Sequence, residues 1–155
     1  MNYSILCLDV DGTLTDGKVY MGNNGELLKA FNIKDGYGIC QYIKAGGIVA
    51  IITGRSSKIV ENRAMELGIS EIYQNITNKA QVMELLAKKY HTTIANVAYV
   101  GDDMNDLEAV QAAGISFMPS DGYEGLKPYV FVVLNHKGGE GAVREAIDWL
   151  LGEGM

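Results

Sequence analysis

The stretch that decides the fold is Ile5-Leu6-Cys7-Leu8-Asp9-Val10-Asp11-Gly12-Thr13. Its first part, Ile5 to Val10, is an almost continuous apolar run, which is typical of a strand buried on both faces of a parallel sheet. Ile48 to Ile52 and Val97 to Val100 have the same character. We therefore expect buried parallel strands at these three places.

Helical patterns separate the apolar runs. Apolar residues recur at helical spacing from Met83 to Tyr90 and again from Val143 to Leu151. A third helix is expected from Met104 to Ala113, with Gly114 taking the left-handed conformation that ends it. Strand and helix thus alternate along the chain.

The alternation predicts an α/β fold with a three-layer, doubly wound parallel sheet, completed by strands at Ile115 to Met118 and Tyr129 to Leu134. At about 150 residues per domain, residues 1–155 form a single domain. In such folds, functional sites lie at the carboxyl ends of the strands. That edge is where the chemistry is expected.

One segment interrupts the alternation soon after the first strand. Lys18 to Ile33 has the pattern of two short strands around Gly22-Asn23-Asn24-Gly25, a sequence suited to a hairpin turn. We expect a β-hairpin flap here.

Composition excludes several functions. The chain has 48% hydrophobic and 21% charged residues, as globular proteins do, and its net charge of −6 works against binding nucleic acid. Apolar runs stay well short of the ~18 residues that span a membrane. The start, Met1-Asn2-Tyr3-Ser4, lacks a signal-peptide pattern, so a cytoplasmic protein without membrane contact is expected.

Asp9 and Asp11 follow the first strand, and the period of two along a strand aims both toward one site. Gly12 allows the chain to leave the strand sharply. Two carboxylates at a buried strand end suit catalysis, although an Asp-Gly pair after a strand is also a common turn. The two interpretations are separated by the residues that follow the other strands.

Thr53-Gly54-Arg55-Ser56 follows the second buried strand. A hydroxyl and main-chain N–H groups at a helix start can hold phosphate oxygens. The alternative is that Ser56 only caps the helix.

Lys79 lies near the start of the helix that contains Met83, where the helix dipole favours anions over cations. A phosphate bound nearby explains a cation at this end. A solvated surface lysine is the alternative.

Asp102, Asp103 and Asp106 follow the strand at Val97 to Val100 and place three carboxylates close together. Their repulsion is costly without a cation, and oxygen ligands of this kind suit Mg²⁺. A charged first helical turn, favoured by the dipole, is the alternative.

Together these groups support phosphoryl transfer to a carboxylate. One aspartate attacks phosphorus, a lysine and Mg²⁺ neutralise the phosphoryl oxygens, and a second aspartate moves the proton. Water then cleaves the aspartyl phosphate.

In its four motifs the sequence resembles the haloacid dehalogenase superfamily of phosphohydrolases. The motifs match Asp9 to Thr13, Thr53, Lys79, and Gly101 to Asp106, which together span nearly the whole chain.

The resemblance implies a role for each matched residue. Asp9 is the nucleophile, Asp11 the general acid and base, and Thr53, Gly54 and Lys79 hold the phosphate. Mg²⁺ is implied to bind Asp9, the main-chain carbonyl of Asp11, and Asp102, with support from Asp103 and Asp106.

Members of this superfamily carry cap domains between the first and second motifs or between the second and third. Here the first interval is filled by the hairpin and one helix, and the second by one helix and a short strand. The protein is therefore expected to be capless. A neighbouring subunit is then expected to close its site.

Within the superfamily the sequence resembles the capless 3-deoxy-D-manno-octulosonate 8-phosphate phosphatases. The segments Leu14 to Gly17, Phe31 to Ile39 and Gly138 to Glu145 carry this resemblance. It implies a homotetramer in which the hairpins meet at the subunit interface.

The resemblance also bears on the substrate. Arg55, after the Thr-Gly pair, favours the eight-carbon sugar acid phosphate over nine-carbon relatives, and a guanidinium suits the substrate's carboxylate. Arg63 is a second candidate for substrate contact, whereas His136 has no settled role. The segment Met118 to Pro128 departs from the pattern of the group.

Two alternatives follow from that departure and from the fold. The first is a 9-phosphate phosphatase of a nonulosonic, sialic-type acid. The second is a non-catalytic module of the kind found with acylneuraminate cytidylyltransferases, against which the intact set of Asp9, Asp11, Lys79 and Asp102 argues.

Overall fold

The computed structural model describes residues 1–152, in which six parallel strands form one sheet. They are β1 (Ile5–Leu8), β4 (Ile48–Ile52), β5 (Glu71–Tyr73), β6 (Val97–Val100), β7 (Ile115–Met118) and β8 (Val132–Val133). Their order across the sheet is β5-β4-β1-β6-β7-β8, so the first strand is central. The expected parallel sheet is confirmed.

Five α-helices cover the two faces of the sheet within the same residues. They are α1 (Ile33–Lys44), α2 (Lys58–Leu67), α3 (Lys79–Lys89), α4 (Leu107–Ala112) and α5 (Ala142–Leu150). Leu6 and Leu8 pack in the core with α1, α2 and α5, while Ile5 and Cys7 pack in the core with α3 and α4. This alternation explains why β1 is apolar at every position.

The expected bounds of β4, β6 and β7 are confirmed residue for residue. The first strand ends at Leu8 instead of Val10, because after Asp9 the chain turns away from the sheet. The main-chain N–H groups of Thr13, Leu14 and Thr15 all donate to the carbonyl of Val10. The turn therefore sets the position of the two aspartates.

Two local expectations were wrong. The segment 104–113 is a short 3₁₀ helix (Met104–Asp106) followed by α4, and Gly114 does not take the left-handed conformation. A glycine is needed there for space, since a Cβ atom would lie 1.9 Å from the carbonyl oxygen of Ala95.

The last strand is only two residues long, whereas 129–134 was expected. A 3₁₀ helix (Glu124–Tyr129) takes the first residue of that range. On either side of β8, the N–H groups of Phe131 and Leu134 still donate to the carbonyls of Ser116 and Met118 in β7.

The expected hairpin forms from β2 (Tyr20–Gly22) and β3 (Gly25–Leu28), which pair in an antiparallel manner apart from the main sheet. The hairpin and α1 fill the interval between β1 and β4, and α2 and β5 fill the next interval before α3. Neither interval holds a cap domain, as expected. Within residues 1–152, none of the helices has the length and apolar character to cross a membrane.

Candidate active site

The loops after β1, β4 and β6 meet at the carboxyl edge of the sheet and form an open cleft of about 260 Å³. Its lining consists of Asp9, Asp11, Gly17, Thr53, Gly54, Arg55, Asp102, Asp103 and Asn105. Residues from three of the four predicted motifs therefore share one cleft. The fourth motif, Lys79, does not line the cleft but contacts Asp9, which does.

Lys79 is the first residue of α3, yet it is buried. Its Nζ atom donates to Oδ1 of Asp9 at 3.1 Å and to Oδ1 of Asp106 at 2.7 Å. Burial alone lowers the pKa of a lysine, but these two carboxylates outweigh it and raise the pKa of Lys79. The interpretation of Lys79 as a solvated surface residue is therefore wrong.

Asp106 positions the loop after β6. Its Oδ1 atom also accepts a hydrogen bond from the hydroxyl of Tyr99 at 2.5 Å, and its Oδ2 atom accepts from the N–H groups of Asp102 and Asp103 at 2.9 and 3.4 Å. Both carboxylate oxygens are thus occupied by protein donors. Asp106 therefore contacts both Lys79 and the main chain at Asp102, and its predicted role in supporting the metal site stays a prediction.

Tyr99 is a contributor that the sequence did not reveal. It is fully buried in β6 and was expected only as a core residue of the strand. Its hydroxyl donates a hydrogen bond to Asp106, because the chain turns back toward β6 directly after the strand. No local pattern in the sequence indicates that contact.

Asp102 lies against the first loop. Gly12 has φ +87°, and a Cβ atom at Gly12 would lie 1.8 Å from Oδ2 of Asp102. The missing side chain therefore lets the carboxylate of Asp102 approach the loop that carries Asp9. Gly12 serves both the turn and this close approach.

The acidic cluster fits a divalent cation. Asp9, Asp102 and Asp106 each have a carboxylate oxygen within 4.8 Å of the others. Burial, followed by the charge of Asp106, raises the pKa of Asp9, and burial is also the main reason that the pKa of Asp102 rises to about 6. The raised pKa values mean that the negative charges of these carboxylates are unfavourable without a cation. Because the donors are all oxygens, the cation that suits them is Mg²⁺.

The available ligands follow from the hydrogen bonds already made. Because both oxygens of Asp106 are occupied, Asp9 and Asp102 are the carboxylates left to hold the ion. Asp103 is exposed, and its carboxylate accepts a hydrogen bond from the N–H group of Met104 at 2.7 Å. Its role in this structure is to start the 3₁₀ helix.

The loop after β4 presents the predicted phosphate-binding groups. Thr53 is buried, and its main-chain N–H donates to the carbonyl of Tyr73 in β5. Gly54 and Arg55 are exposed toward the cleft. The cap of α2 is Ser57, whose hydroxyl accepts from the N–H of Val60, so Ser56 is not the capping residue.

The two candidate arginines lie in different places. Arg55 lines the cleft, with its Nε atom 4.0 Å from Oδ2 of Asp11. Arg63 is not part of that lining; its guanidinium stacks over Phe31 at 5.7 Å and pairs with Glu66 at 3.1 Å. The structure therefore brings Arg55, but not Arg63, to the cleft.

His136 also lies outside the cleft. Its Nδ1 atom is 2.9 Å from Oε2 of Glu145, whose carboxylate also accepts the main-chain N–H groups of Asn135 and His136. This contact anchors the loop that leads to Gly138 and Gly139. That loop packs on the first motif, since Gly139 donates to the carbonyl of Thr13.

The segment Met118 to Pro128, which departs from the expected pattern, lies beside the acidic loop. The N–H of Tyr123 donates to the carbonyl of Asp102 at 2.7 Å. Asp121 accepts the N–H of Gly138 at 3.0 Å. The segment therefore ties the loop after β6 to the loop that supports the first motif.

Sequence reasoning also missed Lys29 and Glu26 of the hairpin. Lys29 lies directly after β3, and its Nζ atom is 2.6 Å from Oδ1 of Asp11 and 2.9 Å from Oε1 of Glu26. Burial disfavours the charge, yet both carboxylates together raise the pKa of Lys29. The only sequence signal was a charge following two leucines.

A family model of haloacid dehalogenase-like hydrolases matches residues 60–147. Among curated proteins, the 3-deoxy-D-manno-octulosonate 8-phosphate phosphatase KdsC of Escherichia coli (strain K12) is 48% identical over 150 residues, which cover 97% of this chain and 80% of the relative. The family model thus matches the hydrolase superfamily that the sequence resembles, and the curated relative belongs to the group of phosphatases that it resembles within that superfamily.

Solved structures agree. The 3-deoxy-D-manno-octulosonate 8-phosphate phosphatase of Yersinia pestis superposes with a TM-score of 0.95 at 43% identity, covering 99% of this chain and 83% of that one. The enzyme of Moraxella catarrhalis, solved with a magnesium ion, a phosphate ion and a KDO molecule, has a TM-score of 0.94 at 39% identity, covering 98% and 87%. A cobalt-bound form from Haemophilus influenzae has a TM-score of 0.95 at 38% identity, covering 99% and 90%.

The chain belongs to the haloacid dehalogenase-like hydrolases, in the group of the 3-deoxy-D-manno-octulosonate 8-phosphate phosphatases. Both resemblances drawn from the sequence are confirmed.

Proposed function

We propose that this protein is a Mg²⁺-dependent phosphatase that hydrolyses 3-deoxy-D-manno-octulosonate 8-phosphate to the free sugar acid and phosphate. The observation that carries the proposal is the contact of buried Lys79 with Asp9, in the cleft that Asp11, Thr53 and Asp102 also line. The relatives that share this fold at 38 to 48% identity bear the name of that activity.

Asp9 is proposed as the nucleophile. A carboxylate oxygen of Asp9 attacks phosphorus, and the bond from phosphorus to the sugar oxygen breaks with its electron pair on that oxygen. Asp11 donates a proton to this oxygen and releases the sugar acid as an alcohol. Lys79, beside Asp9, balances the charge of the phosphoryl group.

Hydrolysis of the aspartyl phosphate returns the site to its starting state. Asp11, now a carboxylate, takes a proton from water while the water oxygen attacks phosphorus. The bond from phosphorus to Asp9 breaks, phosphate leaves, and the carboxylate of Asp9 is restored. Asp11 thus acts as acid and then as base on the same side of the cleft.

Mg²⁺ is proposed to lie between Asp9, Asp102 and the main-chain carbonyl of Asp11. When bound, it offsets the carboxylate charges and withdraws electron density from the phosphoryl oxygens. Asp106 and Lys79 hold the two carboxylates in place, and Thr53 and the main chain at Gly54 face the opposite side of the phosphate.

Substrate recognition is proposed to involve both arginines. Arg55 lies at the mouth of the cleft, where a guanidinium can bind the sugar carboxylate in a bidentate manner. Because Arg63 does not line the cleft of its own subunit, its proposed contact with substrate requires a neighbouring subunit.

A homotetramer is therefore part of the proposal. The hairpin carries exposed apolar side chains, including Met21 at 61% and Leu27 at 65% exposure, which favour burial against another subunit. A partner seated on the hairpin also closes a cleft that has no cap domain.

A cytoplasmic location is also proposed. Cys7 and Cys40 are both free, as is usual for proteins in a reducing compartment.

Phosphate release from 3-deoxy-D-manno-octulosonate 8-phosphate and from a nonulosonic acid 9-phosphate tests the proposal, with Mg²⁺ and with excess chelator. We expect metal-dependent turnover and a higher kcat/KM for the eight-carbon substrate. A preference for nine carbons would replace the substrate assignment. Absence of turnover on both, with the Asp9→Asn variant as background control, would favour a non-catalytic module.

A further inference from the structure

Lys29 makes a contact that the proposed chemistry does not yet use. Its side chain is only 2% exposed, although it belongs to a hairpin that stands apart from the main sheet. Its ammonium group lies between Asp11 at 2.6 Å and Glu26 at 2.9 Å. The hairpin thus reaches the general acid and base directly.

A register shift in the hairpin makes this contact possible. Met21 pairs with Glu26, whereas the preceding Tyr20 pairs with Leu28, so Leu27 is an extra residue on the second strand. Side chains three positions apart point to opposite faces of a regular strand. The bulge changes the facing by one residue, so that Glu26 and Lys29 both turn inward.

Lys29 is also the nearer of two cations to Asp11. Arg55 approaches the other carboxylate oxygen only to 4.0 Å, and its side chain is 47% exposed. The side chain of Lys29 is almost fully buried and does not line the cleft. Lys29 can therefore affect the substrate only through its contact with Asp11.

We propose that Lys29 is a positioning residue for Asp11, and that Glu26 in turn holds Lys29 in place. The contact fixes the orientation of the Asp11 carboxylate, so the seated hairpin aligns the group that moves the proton. This inference rests on the proposed phosphatase activity and gives the hairpin a role in it, namely the alignment of Asp11. The alignment matters most when the leaving oxygen needs a proton as its bond to phosphorus breaks.

The test compares Lys29→Met with Lys18→Met, whose lysine lies on the same segment, is 74% exposed, and faces Asp16. For Lys29→Met we expect kcat on the sugar acid phosphate to fall about 10- to 100-fold, with KM changed less than about twofold. Lys18→Met should match the wild type. A rise in KM with unchanged kcat would overturn the positioning role and indicate substrate binding.

A second substrate separates alignment of Asp11 from general damage. The leaving group of p-nitrophenyl phosphate departs without a proton, so the deficit of Lys29→Met in kcat/KM, which covers the steps up to release of the leaving group and not the attack of water, should be much smaller on it. An equal loss of kcat/KM on both substrates would contradict the inference. Turnover by the wild type in the same assay establishes the phosphatase activity independently.

A double-mutant cycle provides the decisive control. If Lys29 acts through Asp11, Lys29→Met should have no further effect on kcat in an Asp11→Asn background. Additive losses would overturn the inference. Combining Glu26→Gln with Lys29→Met removes the carboxylate at position 26 that Lys29→Met alone leaves without its cation. Thermal unfolding of the single and the combined variant checks that the fold is retained. The combined variant should show the same selective loss of kcat.

Discussion

The Nζ atom of Lys79 lies 2.7 Å from Oδ1 of Asp106, and the two side chains are 2% and 0% exposed. One residue begins α3 and the other follows β6, so the contact joins the two sides of the cleft beneath Asp9. A buried charge of this kind is stable only while its partners remain. The catalytic arrangement and the stability of the fold therefore depend on the same contact.

Replacing Lys79 by methionine should reduce both activity and stability. The change leaves the carboxylates of Asp9 and Asp106 buried without their cation, which costs on the order of 3–5 kcal/mol. Urea unfolding should show that loss, and phosphate release should fall by about 100-fold or more, because the phosphoryl charge is no longer balanced.

Lys58→Met is the matched control for that variant. Lys58 also pairs with a carboxylate, Glu61, but its side chain is 77% exposed, so little change in stability or rate is expected. Similar losses in the two variants would contradict a special role for Lys79.

Asp102→Asn should stabilise the metal-free protein at neutral pH. The pKa of Asp102 is about 6 in the folded chain against 3.8 as its ordinary value, so the folded state binds the proton more tightly. Wild-type stability from this group is then full below about pH 4 and is lost as the pH rises toward 6. The variant avoids that loss of stability, which is on the order of 3 kcal/mol at pH 7.

Thermal unfolding between pH 4 and 7 measures the difference. The advantage of the variant should grow across that window without metal. Mg²⁺ should reverse the order at neutral pH, because the wild type alone retains the ligand. A variant that gains as much from Mg²⁺ as the wild type would place the metal site elsewhere.

Gly138→Ala should impair catalysis through packing alone. A Cβ atom at Gly138 would lie 1.9 Å from the carbonyl oxygen of Gly12, so the loop that carries Asp9 and Asp11 has to move. We expect a loss of about 1–3 kcal/mol in stability and a marked fall in kcat.

Gly68→Ala provides the comparison for this glycine. Gly68 has φ +78° at the end of α2, and a Cβ atom there would meet open space. It should lose about 1 kcal/mol through backbone strain and keep its activity. Equal activity in the two variants would mean that Gly138 does not support the first motif.

Leu27→Glu should disrupt the proposed tetramer. Leu27 is 65% exposed on the hairpin, so a carboxylate there is harmless to the isolated subunit but costly in an apolar interface. Light scattering should report smaller particles than for the wild type. Leu85→Glu, which changes a 57% exposed leucine on α3, should leave the size unchanged; an unaltered assembly in both variants would remove the hairpin from the interface.

The sequence predicted the sheet well because buried parallel strands have a distinct pattern, and β4, β6 and β7 show it without interruption. It overestimated the length of β8, because the 3₁₀ helix Glu124–Tyr129 takes the first residue of a segment that is apolar enough for a longer strand. The reason for the glycine at position 114 was also not predictable from the sequence. It is the close approach of Ala95, and not a left-handed backbone conformation.

The candidate site was predictable where a motif marks it and not where distant elements meet. Asp9, Asp11, Thr53 and Asp102 are brought together as expected, since each follows a strand of the same sheet. Lys29 depends on a bulge that shifts the facing of the hairpin, and no alternation pattern shows such a shift in advance.

The central claim is that Asp9 forms the covalent bond to phosphorus. The most direct test is to quench Asp11→Asn with acid during its reaction with p-nitrophenyl phosphate and Mg²⁺, since this leaving group departs without the proton that Asp11 supplies, and to map the protein-bound phosphoryl group by mass spectrometry. Without the base that activates water, the intermediate should accumulate on the peptide that contains Asp9, and Asp9→Asn should carry none. A phosphoryl group on another residue, or phosphate release by Asp9→Asn at the wild-type rate, would contradict the account.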